Sequence, residues 1–417
     1  MAKLRIRAYN VLFGDAILIS FSEKDEKGSD VNRNILIDVG NLSRIGGSSE
    51  VFPPVIENIL EVLSGNPLDL YIMTHEHMDH VKGLLSANNM LFKKKGEPLS
   101  EKLKTRYTWL TGSAEKNYYE KHPDAKKKKL AFDEAYKRID GYINAAKATP
   151  EGIPKTIENL WLNNNYSEKL LLDNSTSTAD CVDYIRSLSL PENTFYVYRG
   201  FDLGDHHPFG EAKIEIWAPE EDTSDYYPAH RLAPMALGVT NPSEESKTDR
   251  PTLTEILPPA GVYAGAFYRL LRTRRRCYDN LLAIDKAANN TSIVFCLEWH
   301  GLKLLFTGDA EEDSWEIMNN KGVLKQVNFL KTSHHGSVNG TPKDRILEKI
   351  LPKVKPDDKP RKSLLSTYPE IGNKKEEVYD NVPDGATVDI IRERSELYEV
   401  HKKNPGEYLD IIFEVEE

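Results

Sequence analysis

Leu68-Asp-Leu-Tyr-Ile-Met73 followed by Thr74-His75-Glu76-His77-Met78-Asp79-His80 is the stretch on which the reading of this chain turns. The first six residues form a short, mostly apolar run, as a buried strand requires. The next seven place three imidazoles and the Asp79 carboxylate within six positions. Neutral imidazole and carboxylate are the donors that suit zinc, manganese or iron. Packing alone gives no reason to gather such groups at the tip of a buried strand. Alternation along an extended loop lets His75 and His77 grip one ion while Asp79 and His80 grip another.

The same pattern recurs downstream. Residues 302–307 read as a strand that runs into Gly308-Asp309, and residues 327–330 as a strand that runs into Lys331-Thr-Ser-His334-His335-Gly336-Ser337. Asp309 is placed to bridge both ions, and His335 to complete the second. A lone strand-end acid is ordinarily a turn former and a lone pair of histidines ordinarily a surface feature. Here five of the eleven histidines fall in the two segments, which favours a shared site.

Upstream, residues 4–21 read as two strands joined by a Gly14-Asp15 turn, and residues 34–40 as a strand ending on Asp38. Pro53-Pro54 opens a helix with Val55, Ile56, Ile59, Leu60 and Leu63 on one face, stopped near Gly65. Residues 107–111 make a further strand. Residues 213–217 and 292–298 continue the strand pattern, and a His300-Gly301 turn links the second to 302–307. Helices are expected at 312–320 and 344–350, and strands at 363–366, 388–391 and 409–413. Strands alternating with helices, with ligands at strand tips, describe an α/β layered fold. Residues 1–112 and 196–417 are expected to form two halves of one domain. Residues 113–195 read as a lysine-rich helical insertion, and residues 220–285 as an inserted polar loop region.

The motifs HxHxDH after a strand, LIDVG upstream, and TGD then HHGS downstream resemble the metallo-β-lactamase fold superfamily. NVLFGDAILI, NNTSIVFCLEWHGLKLLFTGDAE and LKTSHHGS resemble its ComEC-like hydrolase branch more closely, over about residues 1–112 and 200–370. The resemblance implies a four-layer αββα sandwich with two divalent metal ions at one edge, zinc first and manganese second. It gives His75 and His77 to one ion, Asp79, His80 and His335 to the other, and Asp309 to both. It implies a hydrolase that attacks a phosphodiester, in DNA or RNA, through a hydroxide bridging the metals. Asp79 and Asp309 would orient that hydroxide. Asp38 either steadies a ligand histidine or ends its strand in a turn, and Asp15 either approaches the site or serves its own turn. His334 is the first choice as proton donor to the leaving group, or else supports its neighbour. Lys331 and Ser337 are candidate anion contacts. Many superfamily members carry one more histidine ligand; the candidates here are His122, His206, His207 and His230, none in a motif. Glu76 is a spacer expected to face solvent.

Composition limits the alternatives. With 39% hydrophobic and 29% charged residues the chain reads as globular, and no run of about eighteen apolar residues suggests a membrane span. The three cysteines form no CxxC pair, which with the strand-like N-terminus points to a cytoplasmic protein. A net charge of −10 argues against an extensive phosphate-binding surface. Two basic patches remain, residues 126–129 and Arg272, Arg274, Arg275 and Arg276. The second follows an aromatic segment and resembles a groove for a nucleic-acid strand, or else is a solvated helix end. The competing readings are an esterase or phosphodiesterase for small molecules and a scaffold without activity. The insertions also offer surfaces for a protein partner.

Overall fold

The computed structural model of the chain describes residues 2–25, 27–42, 48–93, 102–147, 153–164, 177–233, 257–258, 263–342, 344–355, 360–368 and 382–415. It is an α/β fold with two mixed sheets. The first half supplies β1 (Ala2–Tyr9), β2 (Ala16–Lys24), β3 (Asp30–Val39), helix α1 (Phe52–Leu63), β4 (Leu68–Met73), α2 (Met78–Lys93) and β5 (Thr105–Thr111). Helices α3 (Tyr118–Lys121), α4 (Pro123–Lys147), α5 (Lys155–Asn163) and α6 (Thr178–Arg186) then lead to β6 (Thr194–Val197). The second half supplies β7 (Lys213–Ala218), α7 (Ala264–Asn289), β8 (Val294–Trp299), β9 (Leu302–Phe306), α8 (Glu312–Asn320), β10 (Phe329–Lys331), α9 (Asp344–Ile350), β11 (Lys362–Leu365), α10 (Gly385–Arg392), β12 (Glu396–Glu399) and β13 (Tyr408–Val415).

The seven-stranded sheet runs β13-β1-β2-β3-β4-β5-β6 and the six-stranded one β12-β11-β10-β9-β8-β7. Strands β3 to β6 are parallel to one another, as are β9 to β12, while the hairpin strands are antiparallel. Side chains that alternate along each strand divide between two cores. Ile17, Ile19, Ile35, Ile37, Leu70 and Ile72 share one apolar cluster with Phe295, Leu297, Leu304, Phe306 and Phe329 of the other sheet, so the two sheets face each other. Their intervening neighbours Leu18, Leu36, Tyr71 and Met73 pack with α1, α2 and α6. Cys296, Leu305 and Leu330 pack instead with α8 and α9. Each fully buried aliphatic side chain contributes about 1.5–3 kcal/mol, which makes these faces the main source of stability.

Two expectations are corrected. Residues 264–285, expected within the polar loop region, lie instead in a helix of 26 residues, Ala264–Asn289. Its buried Cys277, Leu281, Ile284 and Ala287 recur at helical spacing and pack against α4 and α5. Residues 388–391 are not a strand but part of α10, whose start is capped by the Asp384 side chain accepting from the Thr387 N–H at 2.8 Å. Strand β12 went unread, being four residues long and half polar. Among the described residues no helix is long and apolar enough to cross a membrane.

Candidate metal centre

Each group at the site stands just past the carboxyl end of a parallel strand, where open α/β sheets bind their ligands. Strand β4 is buried along its whole length and delivers Thr74 to the carboxylate of Asp38, at the end of β3. The Thr74 N–H and Oγ1–H donate to Asp38 at 2.8 and 2.6 Å. The second Asp38 oxygen lies 2.8 Å from Nδ1 of His80, so this acid both pins the ligand loop and turns the His80 ring. Asp38 therefore steadies the His80 ring and is no simple turn former. It does so in the left-handed region (φ 49°), a conformation that costs a non-glycine residue about 1–3 kcal/mol.

Nε2 of His80 faces Asp309 Oδ2 at 3.2 Å and Asp79 Oδ1 at 3.8 Å. His335, also left-handed at φ 53°, donates from Nδ1 to the Ser366 carbonyl at 2.8 Å. Its Nε2 lies 3.2 Å from both Asp79 and Asp309. The ligand atoms of Asp79, His80, Asp309 and His335 lie within 4.8 Å of one another, and those of His75, His77 and Asp79 form a second such group. All six residues are at most 2% exposed.

Burial and close opposite charges set the proton affinities of these groups. Burial opposes charge on His335, yet Asp309 and Asp79 push its pKa up to about 10. Burial likewise opposes charge on His80, and Asp309, Asp79 and Asp38 raise it well above the usual imidazole range. Burial would raise the Asp309 carboxyl, but His335, His80 and Lys331 hold it well below the usual range. His75 is driven the other way, by burial first and then by His80 and His77, and stays neutral. Its Nε2, with Nε2 of His80 and Oδ1 of Asp79, is buried without a hydrogen-bond partner among the described residues. Interiors rarely leave such groups unsatisfied. Lone pairs of two imidazoles and a carboxylate in one buried place fit a divalent ion.

Other sequence-based candidates fall into place around this core. Lys331 is 1% exposed, with Nζ 2.5 Å from Asp15, 3.3 Å from Asp309 and 2.9 Å from the Gly308 carbonyl; its donors are held by protein groups. Asp15 thus does approach the site, through Lys331, while its N–H donates to the Asp79 carbonyl at 3.2 Å. Ser337 is buried, and its Oγ accepts from the Gly340 N–H at 3.1 Å. His334 sits with Nδ1 3.2 Å from Glu311. Glu76 is half-buried, not solvent-facing, and lies among Lys129, Arg186 and His77, with its pKa raised by burial. Arg272, Arg274, Arg275 and Arg276 lie on α7; of the four only Arg272 is exposed and the others are half-buried. At about 1.5 Å per residue, Arg274 is about 16 Å along the helix from the site. His122 packs on Tyr118, His206 on Phe195 and His207 near Trp109, and His230 is exposed; none joins a ligand group among the described residues.

Several neighbours were not anticipated. Asp285, Glu311 and His334 form another close group, with the Asn289 amide in its midst at 3.2, 2.8 and 3.3 Å. Ser292 Oγ accepts from the Asp309 N–H, and Asn290 Oδ1 from the Glu311 and Ser314 N–H groups. The Asn289-Asn290-Thr291-Ser292 motif thereby fixes the turn that carries Asp309. Asp285 lies one helical turn before Asn289, a spacing visible only once residues 264–289 are read as helix. Asn163 and Asn164, at the end of α5, touch the ligand loop. No family model matches this sequence, and no curated protein matches it.

Proposed function

We propose that the chain is a binuclear metal-dependent hydrolase of the metallo-β-lactamase type, acting on phosphodiesters. The observation that carries the reading is the convergence of His75, His77, Asp79, His80, Asp309 and His335, six buried donors from three separate strand ends. Two facing sheets with helices packed on their outer sides support an αββα sandwich. Asp79, His80, Asp309 and His335 would hold one divalent ion and His75, His77 and Asp79 another, and such ions would supply Lewis acidity toward a water and the substrate oxygens.

The protein's own groups do the rest. Asp38 and the Ser366 carbonyl hold His80 and His335 with Nε2 turned inward. Lys331 anchors Asp309, and Asp79 is shared by both ligand groups. His334 is the proton donor to the leaving oxygen: burial opposes its charge, but Glu311 raises its pKa. Positioning and charge stabilisation are what phosphoryl transfer chiefly demands.

A nucleic-acid substrate is favoured by the arginines of α7, whose carboxyl end reaches the site through Asp285. A small diester is the second reading, favoured by ligands exposed to solvent by no more than 2%. The test pairs elemental analysis with single-stranded DNA, duplex DNA, RNA and bis-p-nitrophenyl phosphate. Two equivalents of metal and cleavage that vanishes in Asp79→Ala plus His80→Ala are expected. A protein with less than one equivalent, and inert toward every diester with every ion tried, would sink the proposal.

A further inference from the structure

The crossover between β5 and β6 ends α5 on two asparagines that turn toward the ligand loop. Asn163 Oδ1 accepts from the Asp79 N–H at 3.3 Å. That N–H belongs to the first turn of α2, where no intrahelical acceptor exists. Asn164 is fully buried and is gripped from several sides. Its Nδ2 donates to the Leu160 carbonyl at 2.9 Å and to Asp285 Oδ1 at 2.7 Å. Asp285 in turn accepts from Asn289 at 3.2 Å through its other oxygen.

These contacts settle which way the Asn164 amide points. Two acceptors face its Nδ2, so the oxygen is the atom that lies 2.9 Å from His77 Nε2. An amide oxygen only accepts, so the His77 proton is on Nε2 and the lone pair on Nδ1. We propose that Asn164, backed by Asp285, is a positioning residue that sets the tautomer and ring orientation of His77, and with them the affinity for the ion shared with His75. The inference rests on the metal-centre reading above. It makes the crossover helices a working wall of the site, since residues 155–164 supply the partner that the ligand histidine needs. Ligand imidazoles lose about 10- to 100-fold in metal affinity when such a partner is removed.

The experiment is titration of the full-length protein, loaded with zinc, against a graded chelator, with the melting temperature of the metal-free form recorded alongside. Wild type should hold two ions. Asn164→Ala should release one of them at about 10- to 100-fold lower chelator strength and keep the other as wild type does. Asn164→Asp alone places two carboxylates against each other and should lose the same ion. The exchanged pair, Asn164→Asp with Asp285→Asn, restores an acceptor toward His77 and a donor between the two positions, and should recover it. A purely structural role predicts something else: both ions weaken together with the melting temperature, and the exchange rescues nothing. That result, or wild-type retention of both ions in Asn164→Ala, overturns the inference. Should Asn164→Ala not fold, imidazole nitrogen NMR of the wild-type protein decides, because a His77 ring protonated on Nδ1 also overturns it. Wild type that binds no metal would remove the metal-centre reading and this inference with it. Two bound ions without diester cleavage would remove only the activity.

Discussion

At the scale of single residues, the buried histidines and acids of the proposed metal site shift one another's proton affinities. Burial opposes charge on His80 and His335, and Asp309 and Asp79 lying against them raise both pKa values and so favour the protonated rings. An ion can bind only to the neutral rings, so loading must expel those protons. Calorimetry in two buffers of different ionisation enthalpy should find about two protons released per loaded site at neutral pH, and affinity that climbs with pH. Release of none would contradict the proposed ligand set. The same shifts govern stability of the metal-free form. The His335 pKa is raised from 6.5, so its contribution is whole below 6.5 and disappears as pH rises through about 10. Metal-free protein should therefore melt lower toward alkaline pH, whereas the loaded form, with neutral imidazoles, lacks this loss. The clustering of His75, His77, Asp79, His80, Asp309 and His335 was legible because residue type and strand-end position mark it. Asn164 and Asp285 were not: an amide and an acid on helices acquire meaning only from His77, 87 positions from Asn164.

At the scale of elements, the site depends on how closely two turns approach the ligand loop. A Cβ built on Gly40 would stand 2.4 Å from the His80 N–H nitrogen, and one on Gly14 would stand 2.2 Å from the Gly40 carbonyl. Both contacts are with backbone, which cannot swing aside. Gly40→Ala should thus push the start of α2 away from β3, costing about 1–3 kcal/mol. Zinc affinity and urea unfolding should fall together, unlike the selective loss expected for Asn164→Ala. Strands β4 and β9 and helices α8 and α9 were legible since strong apolar runs or clean helical spacing mark them. Residues 264–289 misled because their first half is arginine-rich and largely unburied, so composition outweighed the spacing of the second half. Residues 388–391 misled because four mostly β-branched positions are too few to separate a period of two from one of 3.6.

At the scale of the whole molecule, the first and last strands close one sheet. All eight residues of β1 pair with β13, and Arg7 reaches Asp410 through two hydrogen bonds of 2.8 Å while stacking over Tyr408 at 3.5 Å. Arg7 is 6% exposed, so Arg7→Ala should cost about 2 kcal/mol in urea unfolding and leave zinc stoichiometry unchanged. Unaltered stability would show that this link is not what fastens the sheet's edge.

The ligands also arrive in a fixed temporal sequence. His75, His77, Asp79 and His80 leave the ribosome more than two hundred residues ahead of Asp309 and His335. A nascent chain would display four of the six proposed donors while the other two are still being synthesised, so a cation captured early would lack its full set and exchange more freely. Commitment to one element awaits docking of the later sheet. On the proposed reading, the ions present when the later sheet docks, more than those present at initiation, would set which metal the folded protein takes up.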